Sequence, residues 1–202
     1  GSITVPSYKT TAYQFNNTEH AANLFGLKEF GNIYSRLGNP TVGALEARLT
    51  ALEEGAMCVA LSSGTSAVMY SLINIMSQGD NFVTANQLYG GTYTMFDNIL
   101  PEYGIDSKKV DITDLAAVEN AIDDKTRAIY CETITNPGLV VADISALSEI
   151  AHSKGIPLIV DATFTTSAIL KPFEYGADII VYSLTKWMSG HGRVIAGAVI
   201  EK

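Results

Sequence analysis

The sequence predicts an α/β fold: a mostly parallel sheet covered by helices on both faces, in a three-layer αβα arrangement. Short apolar runs of strand length alternate with segments whose apolar residues recur at helical spacing. Apolar strands joined by helices are typical of parallel sheets that are buried on both faces. Polar residues directly follow several of these strands, at the edge where such sheets bind ligands. An irregular arm precedes the sheet.

The arm comprises residues 1–42, which are polar and aromatic and show little periodicity. We expect it to be extended, with one short helix near residues 19–24. Asn39-Pro40-Thr41 is a helix-start signal, and the leucines that follow over residues 42–52 have helical spacing. Residues 43–202 then form the domain that carries the site. We expect this domain to be incomplete at its C-terminal end, because the sequence stops just after an apolar strand-like run.

After Gly55, strands and helices alternate to the end of the sequence. The predicted strands cover residues 57–61, 81–85, 110–112, 128–132, 157–160, 178–182 and 194–200. The predicted helices cover residues 65–76, 92–100, 114–122 and 143–154. Asp114 near the start of one helix suits the helix dipole, and Gly155 ends another.

Composition excludes several classes of function. The chain has 202 residues, of which 47% are hydrophobic and 17% charged, and its net charge is −8. Without a cluster of Lys and Arg, no nucleic-acid partner is expected. No apolar stretch is long enough to span a bilayer, so no membrane partner is expected either. Cys58 and Cys131 lack metal-ligand spacing and are typical of buried thiols in a cytoplasmic protein, so we expect no metal site.

Lys186 is the most informative residue, because Ser183-Leu184-Thr185-Lys186 directly follows an apolar strand. Asp161 ends another apolar strand. Each residue alone has an ordinary interpretation, as a surface lysine and as a loop or helix-cap carboxylate. Together they suit pyridoxal phosphate (PLP), because lysine forms a Schiff base with its aldehyde and aspartate keeps its ring nitrogen protonated.

The segment Ser62-Ser63-Gly64-Thr65-Ser66 lies between a predicted strand and a helix. Backbone N–H groups of Gly64 and Thr65 at a helix start could bind a phosphate. No Gly-Lys-Ser/Thr follows, so this is not a Walker loop. An ordinary strand-to-helix turn remains the alternative for this segment taken alone.

Five motifs occur in a fixed order and together resemble the Cys/Met-metabolism family of fold-type-I PLP-dependent enzymes. The resemblance covers nearly the whole chain and implies the large domain of that fold. The motifs are Ile33-Tyr34-Ser35-Arg36-Leu37-Gly38-Asn39-Pro40-Thr41, Ser63-Gly64-Thr65-Ser66-Ala67, Leu88-Tyr89-Gly90-Gly91-Thr92, Asp161-Ala162-Thr163-Phe164 and Ser183-Leu184-Thr185-Lys186-Trp187.

The resemblance implies a role for each matching residue. Lys186 is the Schiff-base lysine, Asp161 is the partner of the pyridine nitrogen, and Tyr89 stacks on the ring and assists proton or leaving-group chemistry. Asn136 lies near the ring oxygen. The phosphate is bound by Gly64, Thr65, Ser183 and Thr185, and the phosphate of a neighbouring subunit's cofactor by Tyr34 and Arg36. Ser63 and Thr163 are further cofactor-binding residues. The resemblance therefore implies a homo-oligomer, in this family a homotetramer, whose active sites are shared between subunits.

Within the family, the stretch Glu19–Asn32 is longer than expected in cystathionine enzymes and more similar to O-acetylhomoserine sulfhydrylases. The resemblance thus implies γ-replacement on O-acetyl-L-homoserine by sulfide or a thiol, in methionine biosynthesis. Methionine γ-lyase and cystathionine γ-synthase or γ-lyase are the alternatives. Family members are about twice this length and carry the substrate-carboxylate arginine in a C-terminal domain. A truncated, non-catalytic fragment that binds the cofactor is therefore the second alternative.

Overall fold

The computed structural model describes residues 2–202, which form two compact units. The smaller unit ends at Leu49 and the larger runs from Thr50 to Lys202. This division falls inside a helix, and the domain boundary after residue 42 stays a prediction. None of the helices in residues 2–202 is long and apolar enough to cross a membrane.

The smaller unit is more ordered than its sequence suggests. Helix α1 (Thr18–Phe25) is capped by the Asn17 side chain, which accepts the N–H of His20 at 2.8 Å. A short antiparallel bridge joins Ala12 to Tyr34. Helix α2 (Pro40–Glu53) begins at the predicted proline. The expected short helix in the arm is thus present.

The larger unit is built on one seven-stranded sheet. Its strands are β1 (Met57–Leu61), β2 (Asn81–Ala85), β3 (Asp106–Val110), β4 (Thr126–Glu132), β5 (Leu158–Asp161), β6 (Ile179–Ser183) and β7 (Gly197–Glu201). They lie in the order β1-β7-β6-β5-β4-β2-β3. Strands β2 to β6 are parallel to one another, whereas β7 is antiparallel to both of its neighbours, β1 and β6. The mostly parallel sheet is therefore confirmed.

Helices connect the strands and contact one another in two groups. They are α3 (Gly64–Ile73), α4 (Gly90–Thr94), α5 (Leu115–Ala121), α6 (Ile144–Ser153) and α7 (Thr166–Ile169). Helix α3 contacts α4, and α5 contacts α6. Right-handed crossovers produce this grouping, because the chain passes from β1 to β3 in one direction along the sheet and from β3 to β6 in the other. The two groups cover opposite faces.

The core lies against the central strands. Every residue of β2 is buried, and three aromatic rings pack in a row beside it. Phe82 packs edge-to-face on Phe96, and Phe96 does the same on Tyr130, with ring centroids 4.8 and 5.2 Å apart. Such pairs add to the stabilisation from apolar burial. The Phe96 ring thereby packs against both β2 and β4.

Four predicted elements were placed wrongly, one of them the strand expected at residues 194–200, which begins only at Gly197 as β7. The strand expected at residues 110–112 is β3, Asp106–Val110; it is a polar edge strand without an apolar signal. The helix expected at residues 92–100 begins at Gly90 and passes through a π-helical segment (Met95–Ile99) into a 3₁₀ turn (Leu100–Tyr103). The helix expected to reach residue 76 ends at Ile73.

Candidate functional site

A cavity of about 710 Å³ lies at the carboxyl ends of the parallel strands, within the larger unit. This volume is in the range of small-molecule and cofactor sites. Every site residue predicted outside the arm lines it: Ser63, Gly64, Thr65, Tyr89, Asn136, Asp161, Thr163, Ser183, Thr185 and Lys186. Residues far apart in sequence thus meet where the sheet topology predicts a ligand.

Asp161 ends β5 and holds its carboxylate in the cavity wall. One oxygen accepts the Tyr130 hydroxyl at 3.2 Å, and the other accepts the Thr163 N–H at 2.9 Å. Burial raises the pKa of Asp161, and the hydrogen bonds from Thr163 and Tyr130 only partly oppose it. Within residues 2–202 no cationic side chain forms an ion pair with this carboxylate. A cationic group bound beside it would therefore relieve the cost of burying its charge.

Lys186 lies in the turn after β6 and exposes its side chain toward the cavity that it lines. Its backbone N–H is bonded to the Ser183 carbonyl at 3.2 Å, which fixes the turn. The Ser183 N–H donates to the Thr163 hydroxyl at 2.7 Å, so the ends of β5 and β6 are tied together. Thr185 spans the loop, since its hydroxyl donates to the Ala196 carbonyl at 3.2 Å and accepts the Ala196 N–H at 3.0 Å.

The start of α3 forms another side of the cavity. Ser63 caps this helix by accepting the Ser66 N–H at 3.0 Å. The N–H groups of Gly64 and Thr65 belong to the first helical turn, which has no partners within the helix. A Cβ on Gly64 would lie 2.4 Å from the Cβ of Ser183, so only glycine lets α3 approach β6 this closely. The helix start can receive an anion beside the end of β6.

Glu132 is the site residue that the sequence reasoning missed. It ends β4, directly across from Asp161 in the register of the sheet, and it lines the cavity with only 5% of its surface exposed. Its oxygens accept the backbone N–H groups of Tyr89 at 2.7 Å and of Asn136 at 3.1 Å. Burial, reinforced by the charge of Asp161, raises the pKa of Glu132 to about 7. The signal was a carboxylate at the end of an apolar strand, as for Asp161.

Tyr34 and Arg36 belong to the smaller unit. The Arg36 guanidinium lies over the Tyr34 ring, 5.0 Å from its centroid. The backbone N–H of Ser35, between them, donates to the Thr11 carbonyl at 2.8 Å. The pair is therefore held in a defined local conformation, and its predicted contact with a neighbouring subunit's phosphate stays a prediction.

These groups fit PLP. The cavity offers an amine for its aldehyde at Lys186, a carboxylate without a cationic partner for its ring nitrogen at Asp161, and a helix start for its phosphate. Tyr89, which is 46% exposed, presents an aromatic ring from the wall. The arrangement is suited to holding the cofactor and to moving a proton at Lys186.

Comparison with known proteins agrees with this chemistry. The family model described as Cys/Met metabolism PLP-dependent enzyme matches residues 1–202. The O-acetyl-L-homoserine sulfhydrylase of Leptospira meyeri is 48% identical over 200 residues, which cover 99% of this chain and 45% of that protein. The chain thus spans about half the length of the curated relatives it matches.

Solved structures agree with the sequence comparisons. One from Campylobacter jejuni, described as an O-acetylhomoserine (thiol)-lyase with N'-pyridoxyl-lysine-5'-monophosphate, is 45% identical with a TM-score of 0.96, covering 100% of this chain and 50% of that one. The cystathionine γ-lyase of Lactobacillus plantarum, solved with L-serine, is 37% identical with a TM-score of 0.91, covering 100% and 50%.

Proposed function

Because the chain belongs to the Cys/Met-metabolism family of PLP-dependent enzymes, we propose that the protein containing it transfers sulfide or a thiol to O-acetyl-L-homoserine. The products are homocysteine, or an analogue of it, and acetate, and the reaction serves methionine biosynthesis. The observation that carries this proposal is the meeting of Lys186, Asp161 and Tyr89 in one cavity with the start of helix α3.

Bound PLP supplies an aldehyde that condenses with amines and a ring that accepts electrons from the adjacent carbon. Lys186 is the residue that would hold it covalently. The amine of Lys186, when it is not bonded to the cofactor, would be placed to take the proton from the substrate α-carbon and to return it later. Asp161 would stabilise a proton on the ring nitrogen, because a cation there would compensate its buried charge.

Three further groups position the reactants in this proposal. The N–H groups at the start of α3 bind the phosphate, and the dipole of the helix favours its negative charge. The Tyr89 ring, which lines the cavity, would cover one face of a bound cofactor ring. Gly64 keeps α3 close to β6, so the phosphate group and Lys186 are held at a fixed separation.

The choice of substrate rests on the relatives. The sulfhydrylase and homocysteine synthase relatives are 42–48% identical to the chain, whereas the cystathionine γ-lyase structure is 37% identical. The stretch Glu19–Asn32, which resembles the sulfhydrylases in length, supports the same choice. γ-Elimination from methionine or cystathionine is the runner-up, because the same residues would carry out its first proton transfer.

We further propose a homo-oligomer in which Tyr34 and Arg36 contact the phosphate bound by a neighbouring subunit. A planar guanidinium forms paired hydrogen bonds with phosphate oxygens. The packing of Arg36 on Tyr34 preorganises this group. We also propose that the protein is located in the cytoplasm.

The test is a substrate comparison with the full-length protein loaded with PLP. O-Acetyl-L-homoserine with sulfide should give homocysteine at a higher kcat/KM than the release of 2-oxo acid from methionine or cystathionine. Preferential release of 2-oxo acid would favour the lyase alternative. Absence of turnover with all three substrates, despite bound cofactor, would contradict the enzymatic proposal.

A further inference from the structure

Glu132 has no role in the chemistry described so far, although it is among the most deeply buried charged residues of the cavity wall. Its side chain is 5% exposed. None of the ion pairs found in residues 2–202 involves it. Because a buried carboxylate is costly without partners, the partners that it does have indicate its role.

Those partners are two backbone N–H groups from different segments. Tyr89 lies at the end of the loop between β2 and α4, and Asn136 lies in the loop after β4. Glu132 Oε1 accepts the Tyr89 N–H at 2.7 Å and Oε2 accepts the Asn136 N–H at 3.1 Å. The carboxylate therefore joins two segments that each contribute a side chain to the cavity.

The two segments also pack on each other above this carboxylate. The Gln87 side chain lies directly against Gly138, because a Cβ on Gly138 would lie 1.7 Å from its oxygen. Next to Tyr89, a Cβ on Gly91 would lie 2.8 Å from the Tyr89 ring. The ring thus lies against the start of α4.

We propose that Glu132 is a positioning residue, which sets the Tyr89 ring and the Asn136 side chain at the cofactor site by accepting both backbone N–H groups. Only a carboxylate offers an acceptor oxygen to each donor; an amide of the same shape would place an NH₂ group against one of the N–H groups. The effect of Glu132 on the reaction rests on the proposed function, whereas its effect on the two loops does not.

The experiment compares Glu132→Gln with Glu53→Gln as a matched control. Glu53 is also a buried glutamate of the larger unit, 1% exposed, and accepts the Tyr182 hydroxyl at 2.6 Å. It does not line the cavity. Amide-resolved hydrogen exchange of the cofactor-free full-length protein reports directly on the two hydrogen bonds. Steady-state kinetics and the cofactor absorbance spectrum are measured on the PLP-loaded protein.

We expect Glu132→Gln to accelerate exchange of at least one of the Tyr89 and Asn136 amides by about tenfold or more, the size expected when one charged hydrogen bond is lost. Glu53→Gln should leave both amides unchanged. In the loaded enzyme, kcat should fall about tenfold or more while the KM for the homoserine ester changes little, and the cofactor absorbance band should shift. Glu132→Asp keeps both acceptor oxygens and should restore part of the protection and of kcat.

Wild-type exchange at both amides in folded Glu132→Gln would overturn the proposal, as would equal acceleration in Glu53→Gln. A kcat that matches wild type despite accelerated exchange would overturn its part in the reaction. If Glu132→Gln does not fold, the same readouts on Glu132→Asp decide, with intermediate protection expected and full protection contradicting the role. If the wild type does not convert O-acetyl-L-homoserine, the proposed function fails and the exchange result still tests the loop contact.

Discussion

Glu132→Gln should change how the stability of the folded protein depends on pH. In the folded protein, burial and then the charge of Asp161 raise the pKa of Glu132 from 4.5 to about 7, against the opposing N–H groups of Tyr89 and Asn136. Between these pH values the folded state keeps a proton that the unfolded chain releases. The contribution of Glu132 is thus fully present below about pH 4.5 and is lost as the pH rises through about 7.

The size of this effect follows from the two pKa values. One pKa unit corresponds to about 1.4 kcal/mol, so the difference between 4.5 and about 7 amounts to roughly 3 kcal/mol. Glutamine does not titrate. The variant's free energy of unfolding, relative to that of wild type, should therefore rise by roughly 3 kcal/mol between about pH 4.5 and pH 8. The loss of one acceptor oxygen costs about the same at every pH and cancels in this comparison.

Urea unfolding of the cofactor-free protein, followed by circular dichroism across this pH range, measures the effect. Asp161→Asn serves as the control, because removing its charge should lower the pKa of Glu132 and reduce the difference. If the free energy of unfolding varies with pH in the same way for wild type and Glu132→Gln, the raised pKa of Glu132 would be refuted. A difference of opposite sign would mean that the two N–H donors outweigh burial.

Three further predictions concern the cofactor. Borohydride reduction followed by peptide mapping should find the pyridoxyl group on Lys186, and a different modified lysine would contradict the assignment. Tyr130→Phe removes a hydroxyl that lowers the pKa of Asp161, so the acid limb of the kcat–pH profile should move to higher pH; an unchanged profile would mean that this hydrogen bond is not used. Mixing inactive Arg36→Ala and Lys186→Ala variants should restore part of the activity, because some mixed sites combine an intact arm with an intact lysine. No recovery despite proven subunit exchange would show that Arg36 does not act across subunits.

Most of the sheet was predictable because its strands are apolar and its helices begin and end at recognisable residues. Asp114 and Asp143 cap α5 and α6, and β1 and β2 lie where they were predicted. Strand β3 was misplaced because it is held by its hydrogen bonds to β2 and by ion pairs of Lys108 and Lys109, not by an apolar pattern. The π-helical segment after α4 likewise has no signature in the periodicity of the sequence.

The polar residues of the candidate site could be predicted from the sequence, but the residues that hold them in position could not. Lys186 and Asp161 stand out because charged residues at the ends of apolar strands are unusual. The same rule applies to Glu132, which was read only as the last residue of a strand. No role at the site could be predicted for Tyr130, because a tyrosine inside an apolar strand is normally interpreted as a core residue. Its hydrogen bond to Asp161 depends on the register between β4 and β5, which becomes visible only in the fold.

That register places two carboxylates side by side. Glu132 and Asp161 are paired at the ends of β4 and β5, and the charge of Asp161 raises the electrostatic cost of ionising Glu132. The chain supplies neutral donors to both: two backbone N–H groups to Glu132, and the Tyr130 hydroxyl and Thr163 N–H to Asp161. Neutral donors reduce the cost of burial without removing the negative charge. The negative charge of Asp161 is therefore not neutralised by these donors, and a protonated ring nitrogen of the cofactor would compensate it. Glu132 instead holds the two loops by accepting their backbone N–H groups.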